Sequence, residues 1–335
     1  MNFGEKLFRK ALRIVTIAWL CGLLGAGAVH AQDEGTFTDW LKELRQEALI
    51  AGISEKTLDA ALAEIRQPLP EVVALDRRQP EFTQTLAEYV AARVSKQRIA
   101  RGRKMLRRYP TWLGRVEKRY RVQRRFLVAL WGIESNYGEN TGDFAVIEAL
   151  GTLAYDGRRS AYFRRELMDA LRILDAGHIR LKRMKGSWAG AMGQCQFMPS
   201  TFRAYAVDAE GDGRIDLWHS VPDVLASAAN FLAASGWQDD QTWGRAVRLP
   251  KDIDYTLAGL DTKLSLPRWQ ALGVRRSNGR ALPRRNLEAS LLIPDGPEGK
   301  AYLVYDNFRV LLRWNRSNAF AIAVGILSDR LAGRK

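Results

Sequence analysis

The chain has 335 residues, 47% of them hydrophobic, and a formal net charge of +15 at pH 7. Of its two cysteines, Cys21 falls in an apolar leader, so Cys195 stands alone in the mature protein and an intramolecular disulfide is excluded there. Stability must come from burial, for which the length suffices, as one large domain or as a core with smaller lobes.

In the leader, Lys6, Arg9, Lys10 and Arg13 precede an apolar run from Ile14 to Val29 that closes on Val29-His30-Ala31. This is the pattern of a cleaved secretory signal over residues 1–31, with a small-x-small site before Gln32. A retained signal anchor is the alternative, because the run approaches the lower length of a membrane span. Leu20 stands where a lipobox requires a small residue before the cysteine, so a lipoprotein is not expected. Removing residues 1–31 takes away four basic residues and Glu5, which lowers the net charge by three to +12 over 304 residues. Nucleic acid is the usual partner of such charge, but an exported chain seldom meets it. The dispersed run Arg98, Arg101, Arg103, Lys104, Arg107 and Arg108 reads as a solvated basic face.

Helical periodicity dominates the first half. Trp40, Leu41, Leu44, Ala48 and Leu49 fall at three and four residue spacing, as do Leu58, Ala61, Leu62 and Ile65 after the N-cap Ser54. Gln67 to Pro70 breaks the pattern, and Pro80-Glu81-Phe82 is expected to open a helix carrying Leu86, Tyr89, Val90 and Val94. Further helices are predicted at about 97–107, 111–119, 123–135, 146–155, 160–175, 222–235 and 306–331. Between about 247 and 294, scattered Pro and Gly with short alternating pieces predict a small irregular lobe with a few short strands.

One carboxylate stands out. In Ala-Leu-Trp-Gly-Ile-Glu-Ser-Asn-Tyr-Gly, residues 129–138, Glu134 ends a run in which Phe126, Leu127, Ala129, Leu130, Trp131 and Ile133 require burial nearly all round. Apolar walls penalise the charged form and raise its pKa, and an acid kept protonated near neutral pH can protonate a leaving group. The plainer alternative is a helix-terminal Glu held by a neighbouring Arg. A glycosidase ordinarily needs a second carboxylate, about 5 to 5.5 Å away for retention or about 6.5 to 9.5 Å for inversion. None is evident: Glu139 would lie well round a continued helix that Gly138 is expected to end, and Asp143 lies in a loop.

GIESNYG, followed by GSWAGAMGQCQFMPSTF at 186–202 and DAEGDGRIDLW at 208–218, resembles the membrane-bound lytic transglycosylase B family of bacterial cell-wall enzymes, from about Phe37 to the C-terminus. The resemblance implies a mainly α protein with a lysozyme-like (transglycosylase SLT) catalytic core, here with a small irregular α/β lobe, exported to the periplasm. It implies that Glu134 alone cleaves the β-1,4 bond between N-acetylmuramic acid and N-acetylglucosamine without water, leaving a 1,6-anhydro ring. The partners implied are peptidoglycan glycan strands and stem peptides, whose carboxylates suit the basic charge, with other cell-wall enzymes as candidate protein partners; a monomer is expected.

The same resemblance assigns roles one residue at a time. Tyr89, Ser187 and Asn315 are implied to contact the catalytic Glu or hold the N-acetyl group; loop capping is the alternative for the Ser and Asn. Gln196 is implied to bond a sugar, with Phe197 stacking beside it and Met198 next in the groove. Gly186, Gly190 and Gly193 would let backbone approach something flat such as a sugar ring, or else form a tight packing turn. Arg158 and Arg159, with Tyr162 one turn on, match positions that meet a stem-peptide or lactyl carboxylate. Phe231 and Trp314 stand where the lipid-anchored prototype has Tyr, so stacking should survive while hydrogen bonding is put in doubt. Cys195 reads as a packing residue, since His178 and His219 offer it no base.

Asp208-Ala-Glu210-Gly-Asp212-Gly213-Arg214-Ile215-Asp216 reproduces the first nine positions of an EF-hand loop, position 7 (Arg214) acting through its carbonyl. Position 12 is His219, a poor donor for a hard cation, so Asp223 becomes the later carboxylate of a lengthened loop, or else the cap of the next helix. No catalytic cofactor is expected, and a structural Ca²⁺ is. The rival functions are a muramidase using water, a non-catalytic wall-binding scaffold, and, weakly, a Ca²⁺ sensor.

Overall fold

A string of helices leads the computed structural model, which describes residues 36–63, 65–78 and 84–333. The expected signal segment and the Pro80-Glu81-Phe82 helix start lie outside the described residues. First come α1 (Phe37–Ile50), α2 (Glu55–Leu62), α3 (Pro70–Arg77), α4 (Leu86–Arg93), α5 (Lys96–Arg108), α6 (Pro110–Tyr120) and α7 (Arg124–Ser135). Then follow β1 (Phe144–Ala145), α8 (Val146–Tyr155), α9 (Ser160–Asp175), β2 (Lys185–Gly186), α10 (Pro199–Tyr205) and α11 (Val221–Ala234). The lobe contains β3 (Gly244–Arg248), β4 (Leu264–Ser265), α12 (Leu266–Ala271), β5 (Arg275–Arg276), β6 (Glu288–Leu292) and β7 (Ala301–Val304). The described chain finishes with α13 (Asp306–Trp314) and α14 (Asn318–Leu331).

Local chemistry sets these boundaries. The cap of α4 is Thr85: its hydroxyl accepts from Glu88 N while Glu88 Oε2 accepts from Thr85 N at 2.9 Å, a reciprocal box that fixes the start at Leu86. Pro opens α3, α6 and α10, where its missing N–H has no helical partner to lose. The helix expected over 306–331 is two, because Asn315 is extended (φ −144°, ψ 122°) and Ser317 caps α14 by accepting from Phe320 N. That break leaves Trp314 at the end of α13.

The core centres on α7, buried from Phe126 through Ile133 and enclosed by α5, α6, α11 and α14. A helix apolar on every side is stable only inside such a cage. Beside it α8 packs on α9, and the two-residue strands β1 and β2 pair antiparallel, Phe144 opposite Gly186. The lobe is a five-stranded antiparallel sheet in the order β4-β6-β7-β3-β5, with Leu291 opposite Leu303 and Val247 opposite Ala301. It has its own apolar cluster around Leu266, Trp269, Leu291, Leu303 and Tyr305, and its sheet reaches beyond 247–294 at both ends, to Gly244 and Val304. Among the described residues no helix is long and apolar enough to cross a membrane.

Candidate active site

The last turn of α7 carries Glu134, and the residues around it explain the motif. Gly132 leaves room for the folded-back ring of Tyr137, whose hydroxyl lies 2.6 Å from where a Cβ would be. Asn136, Tyr137 and Gly138 all adopt the left-handed conformation, with φ of 52°, 64° and 87°, so the helix ends at Ser135, earlier than Gly138. Left-handed non-glycine residues cost about 1 to 2 kcal/mol each. Here the reversal is held by Tyr137 Oη donating to Arg98 O (2.8 Å), Ser135 Oγ donating to Gln194 O (2.6 Å), and Gly138 N donating to Ser135 Oγ (3.0 Å). Gln194, itself buried, accepts from Trp131 Nε1 and donates to Trp218 O, both at 2.9 Å. The turn after the acid is therefore rigid.

Glu134 is half-buried, and desolvation by its surroundings raises its pKa from 4.5 to about 7, against the pull of the Trp314 N–H and the Arg93 charge. Trp314 Nε1 donates to Glu134 Oε1 at 2.5 Å. An indole nitrogen only donates. Oε1 is thus an acceptor whether or not the acid is protonated, and the carboxyl proton resides on Oε2. This corrects the expectation of doubtful hydrogen bonding at Trp314. From α4, Arg93 and Tyr89 lie within electrostatic reach of Glu134; Tyr89 is raised in pKa by burial, and Arg93 sits over its ring at 5.5 Å. Sequence reasoning missed Arg93, whose only signal was its place one turn beyond Tyr89. Among the described residues no carboxylate is among the charges acting on Glu134, and Glu139 is held by Arg101 and by Asn136 Nδ2.

The remaining expected residues divide. Phe197 and Phe231 pack against Trp314, with centroids 5.2 and 5.0 Å from it. Phe197 is 2% exposed and Phe231 9%, so they are walls that hold the indole, and the expectation that Phe197 stacks on a sugar is corrected by its burial. Gln196, left-handed at φ 51°, donates from Nε2 to Thr141 O (3.0 Å) and Gly193 O (2.8 Å), which leaves its Oε1 as an acceptor. Met198 is half-buried at the start of α10. Ser187 Oγ accepts from Ala191 N at 3.0 Å, and Asn315 Oδ1 accepts from Ser317 N at 3.1 Å. Among the described residues neither bonds Glu134. A Cβ on Gly186 or Gly193 would lie 2.3 or 2.5 Å from the Ala191 or Leu217 carbonyl oxygen, and one on Gly190 would meet Leu150, so the glycine loop is a tight packing turn. Cys195 is buried and its thiol pKa is pushed far up by burial and then by the Glu134 charge, as befits a packing residue.

Arg158 and Arg159 already have a carboxylate. Arg158 Nε and Arg159 Nη2 donate to Asp76, at 2.6 and 2.7 Å, and Asp76 is 1% exposed. The Arg158 hydrogen bond leads in holding the Asp76 carboxyl below its ordinary pKa. A buried carboxylate requires such partners. The two arginines therefore dock α3, in place of the free forks expected for a stem peptide. Tyr162 is exposed beside them, edge-on to Phe163.

In the acidic loop Asp208, Asp212 and Asp223 accept from backbone N–H groups, and Glu210 accepts from Ser220 Oγ at 2.7 Å. Asp208 accepts from Gly211, Asp212 and Gly213 N, and Asp212 from Arg214 N. Asp223, 2% exposed, accepts from Ala209 N and Asp216 N at 2.8 Å each. Burial raises its pKa, and the charges of Asp208 and Glu210 raise it further. Among the described residues no group of three or more His, Cys, Asp or Glu side chains is placed to hold a metal ion, because these carboxylates accept from the loop itself. The Arg214 side chain turns away to His178 O at 3.4 Å, and His219 Nδ1 lies 3.1 Å from Asp216 Oδ1.

The family model described as transglycosylase SLT domain matches residues 36–329. The membrane-bound lytic murein transglycosylase B of Escherichia coli K12 is 35% identical over 235 residues, 67% of this chain and 61% of that protein, so the match spans less than two thirds of that relative. SltB3 of Pseudomonas aeruginosa, solved in complex with NAG-anhNAM-pentapeptide, is 46% identical with a TM-score of 0.87, covering 90% of this chain and 80% of that one. Slt35 of Escherichia coli, solved in complex with calcium, is 28% identical with a TM-score of 0.74, over 88% and 92% of the two chains. With the lone acid on a caged helix, the Gln194-braced turn and these matches in hand, the chain belongs to the lytic transglycosylase B family of SLT-domain proteins.

Proposed function

We propose that this protein is a lytic murein transglycosylase. It cleaves the β-1,4 bond between N-acetylmuramic acid and N-acetylglucosamine and forms 1,6-anhydromuramyl ends. The observation that carries this reading is a single carboxyl group with a pKa of about 7, held by a donor-only partner and with no second carboxylate acting on it among the described residues. Glu134 Oε2 gives its proton to the glycosidic oxygen as the C1–O bond breaks. The resulting carboxylate, stabilised by the Trp314 N–H and the Arg93 charge, then takes the proton of the muramyl C6 hydroxyl as that oxygen closes onto C1. Acid and base are one group, restored at the end, and a pKa near the operating pH serves both steps. A muramidase acting through water would need a base to activate that water. Product mass separates the two, since the anhydro product is lighter by one water.

The complexes of SltB3 with NAG-NAM-pentapeptide and NAG-anhNAM-pentapeptide support a peptide-bearing glycan as substrate. We propose further that the protein is exported to the periplasm and that Asp208, Glu210, Asp212, the Arg214 carbonyl and Asp223 turn from their loop hydrogen bonds to hold a structural Ca²⁺, a reading supported by the calcium complex of Slt35. The cation would neutralise their repulsion and has no part in bond cleavage. Tyr89, Gln196, Met198 and Tyr162 are the groove residues this reading retains. Ser187 and Asn315 act through the loops they brace.

A further inference from the structure

A cleft of about 1250 Å³ lies between the lobe and the end of α14, apart from Glu134. Six cationic side chains line it: Arg245, Arg248, Lys251, Arg276, Lys300 and Arg330. Against them stand two carboxylates. Asp329 is already engaged by Arg125 at 2.7 Å and by Trp243 Nε1 at 2.9 Å, which leaves the exposed Glu298. Among the described residues none of Arg248, Lys251, Arg276, Lys300 and Arg330 has an ion-pair partner, although elsewhere in this chain Arg45, Arg101, Arg124, Arg158 and Arg285 each do. Arg276 Nε is buried with no hydrogen-bond acceptor. A desolvated donor without a partner costs about 1 to 3 kcal/mol, and cations gathered without counter-charge repel one another. Both penalties are relieved by an anionic ligand. Most of the rest of the lining is apolar or aromatic, including Val90, Leu249, Tyr255, Tyr302 and Ile326, with Ser277 and Asn278 as polar members. That mixture suits a short peptide of small side chains and several carboxylates better than a bare inorganic anion.

We propose that this cleft is a second binding site, for the carboxylates of peptidoglycan stem peptides. The naming of the ligand rests on the murein reading above. One helix borders both sites: Val90 of α4 lines the cleft, while its neighbour Tyr89 lies within reach of Glu134. The loop beyond the cleft is tied to the same helix, Asp295 Oδ1 accepting from Leu86 N at 2.7 Å. The cleft supplies the free guanidinium forks that Arg158 and Arg159 lack.

The test is calorimetric titration of the intact protein with a synthetic stem pentapeptide carrying free carboxylates, with the same peptide amidated at every carboxyl, and with inorganic phosphate. The free-acid peptide should bind saturably. Arg248→Glu with Lys251→Glu should weaken it roughly tenfold or more, and amidation should weaken it comparably. Arg248→Ala, which only truncates an exposed side chain, gives a smaller loss in the same direction and keeps the test open should the double reversal fail to fold. Absence of saturable binding, equal binding by the variants, or equal binding of the amidated peptide would each overturn the proposal. So would displacement of the peptide by an equal concentration of phosphate, which would mark a site for small anions. Binding needs no cleavage, so failure here with sacculi still degraded sinks this inference alone, whereas intact sacculi would sink the murein reading.

Discussion

Glu134→Gln should leave the protein about as stable as wild type in acid and more stable than wild type above neutrality. Burial holds the Glu134 carboxyl at about 7 in the folded protein, against 4.5 for an unperturbed group. At about 1.4 kcal/mol per pKa unit, that rise amounts to about 3 kcal/mol. Below pH 4.5 the group is protonated in both folded and unfolded chains, and its neutral form makes the full contribution. Between 4.5 and 7 the folded state binds more protons than the unfolded, so wild-type stability falls as pH rises, and the loss is complete once pH has passed the folded pKa. Gln is neutral throughout and keeps an oxygen to accept from Trp314. The stability difference, variant minus wild type, should therefore climb by about 3 kcal/mol between pH 4 and pH 8. Urea unfolding of both proteins across that range measures it, and every other titrating group cancels in the difference. A difference that stays flat with pH would mean that Glu134 is not desolvated, and the acid assignment would lose its physical basis.

The pH dependence of kcat/KM should fall about tenfold per unit above about 7, because the first step needs the protonated acid. Trp314→Phe removes the donor that favours the carboxylate, so its alkaline limb should move to higher pH; an unmoved limb would show that the indole does not set the acid. Asp76→Asn should destabilise the fold by about 2 kcal/mol through loss of the Arg158 and Arg159 pairs, leaving glycan affinity near normal; lost affinity with unchanged stability would return those arginines to the substrate. Saturating Ca²⁺ should raise the melting temperature, a ligand at 100 times its Kd contributing about 2.7 kcal/mol, and Asp212→Ala should abolish that rise. An identical melting temperature in chelator would make the loop a carboxylate-rich turn.

Periodicity could locate helices because burial is written into spacing: α5 through α9 begin and end within a residue or two of their predicted limits. It could not see the break at Asn315, where the apolar pattern continues but local side-chain bonds replace helical ones. Short strands such as β5 were expected in the lobe but could not be placed, and the seven-residue α10 was not predicted, because a few residues give no period to count. Glu134 was legible because a carboxylate at the end of an all-apolar helix carries a desolvation cost that packing alone does not offset. Its partners were not: that Trp314 points at it, and that Asp76 claims Arg158 and Arg159, depends on contacts across 180 and 82 positions of chain. The glycine loop left two readings open for a related reason, since glycine marks a close approach without naming what approaches, and the packing turn is the one the structure shows.

The account turns on one acid serving as both donor and base without water, and digestion of sacculi in ¹⁸O-labelled water tests that directly. Wild-type protein should release muropeptides one water lighter than hydrolysis would give, with no label at the muramyl end, and Glu134→Gln should lower release by about 10²- to 10⁴-fold. Label at the muramyl terminus as the main outcome, or turnover by Glu134→Gln within about tenfold of wild type, would contradict it.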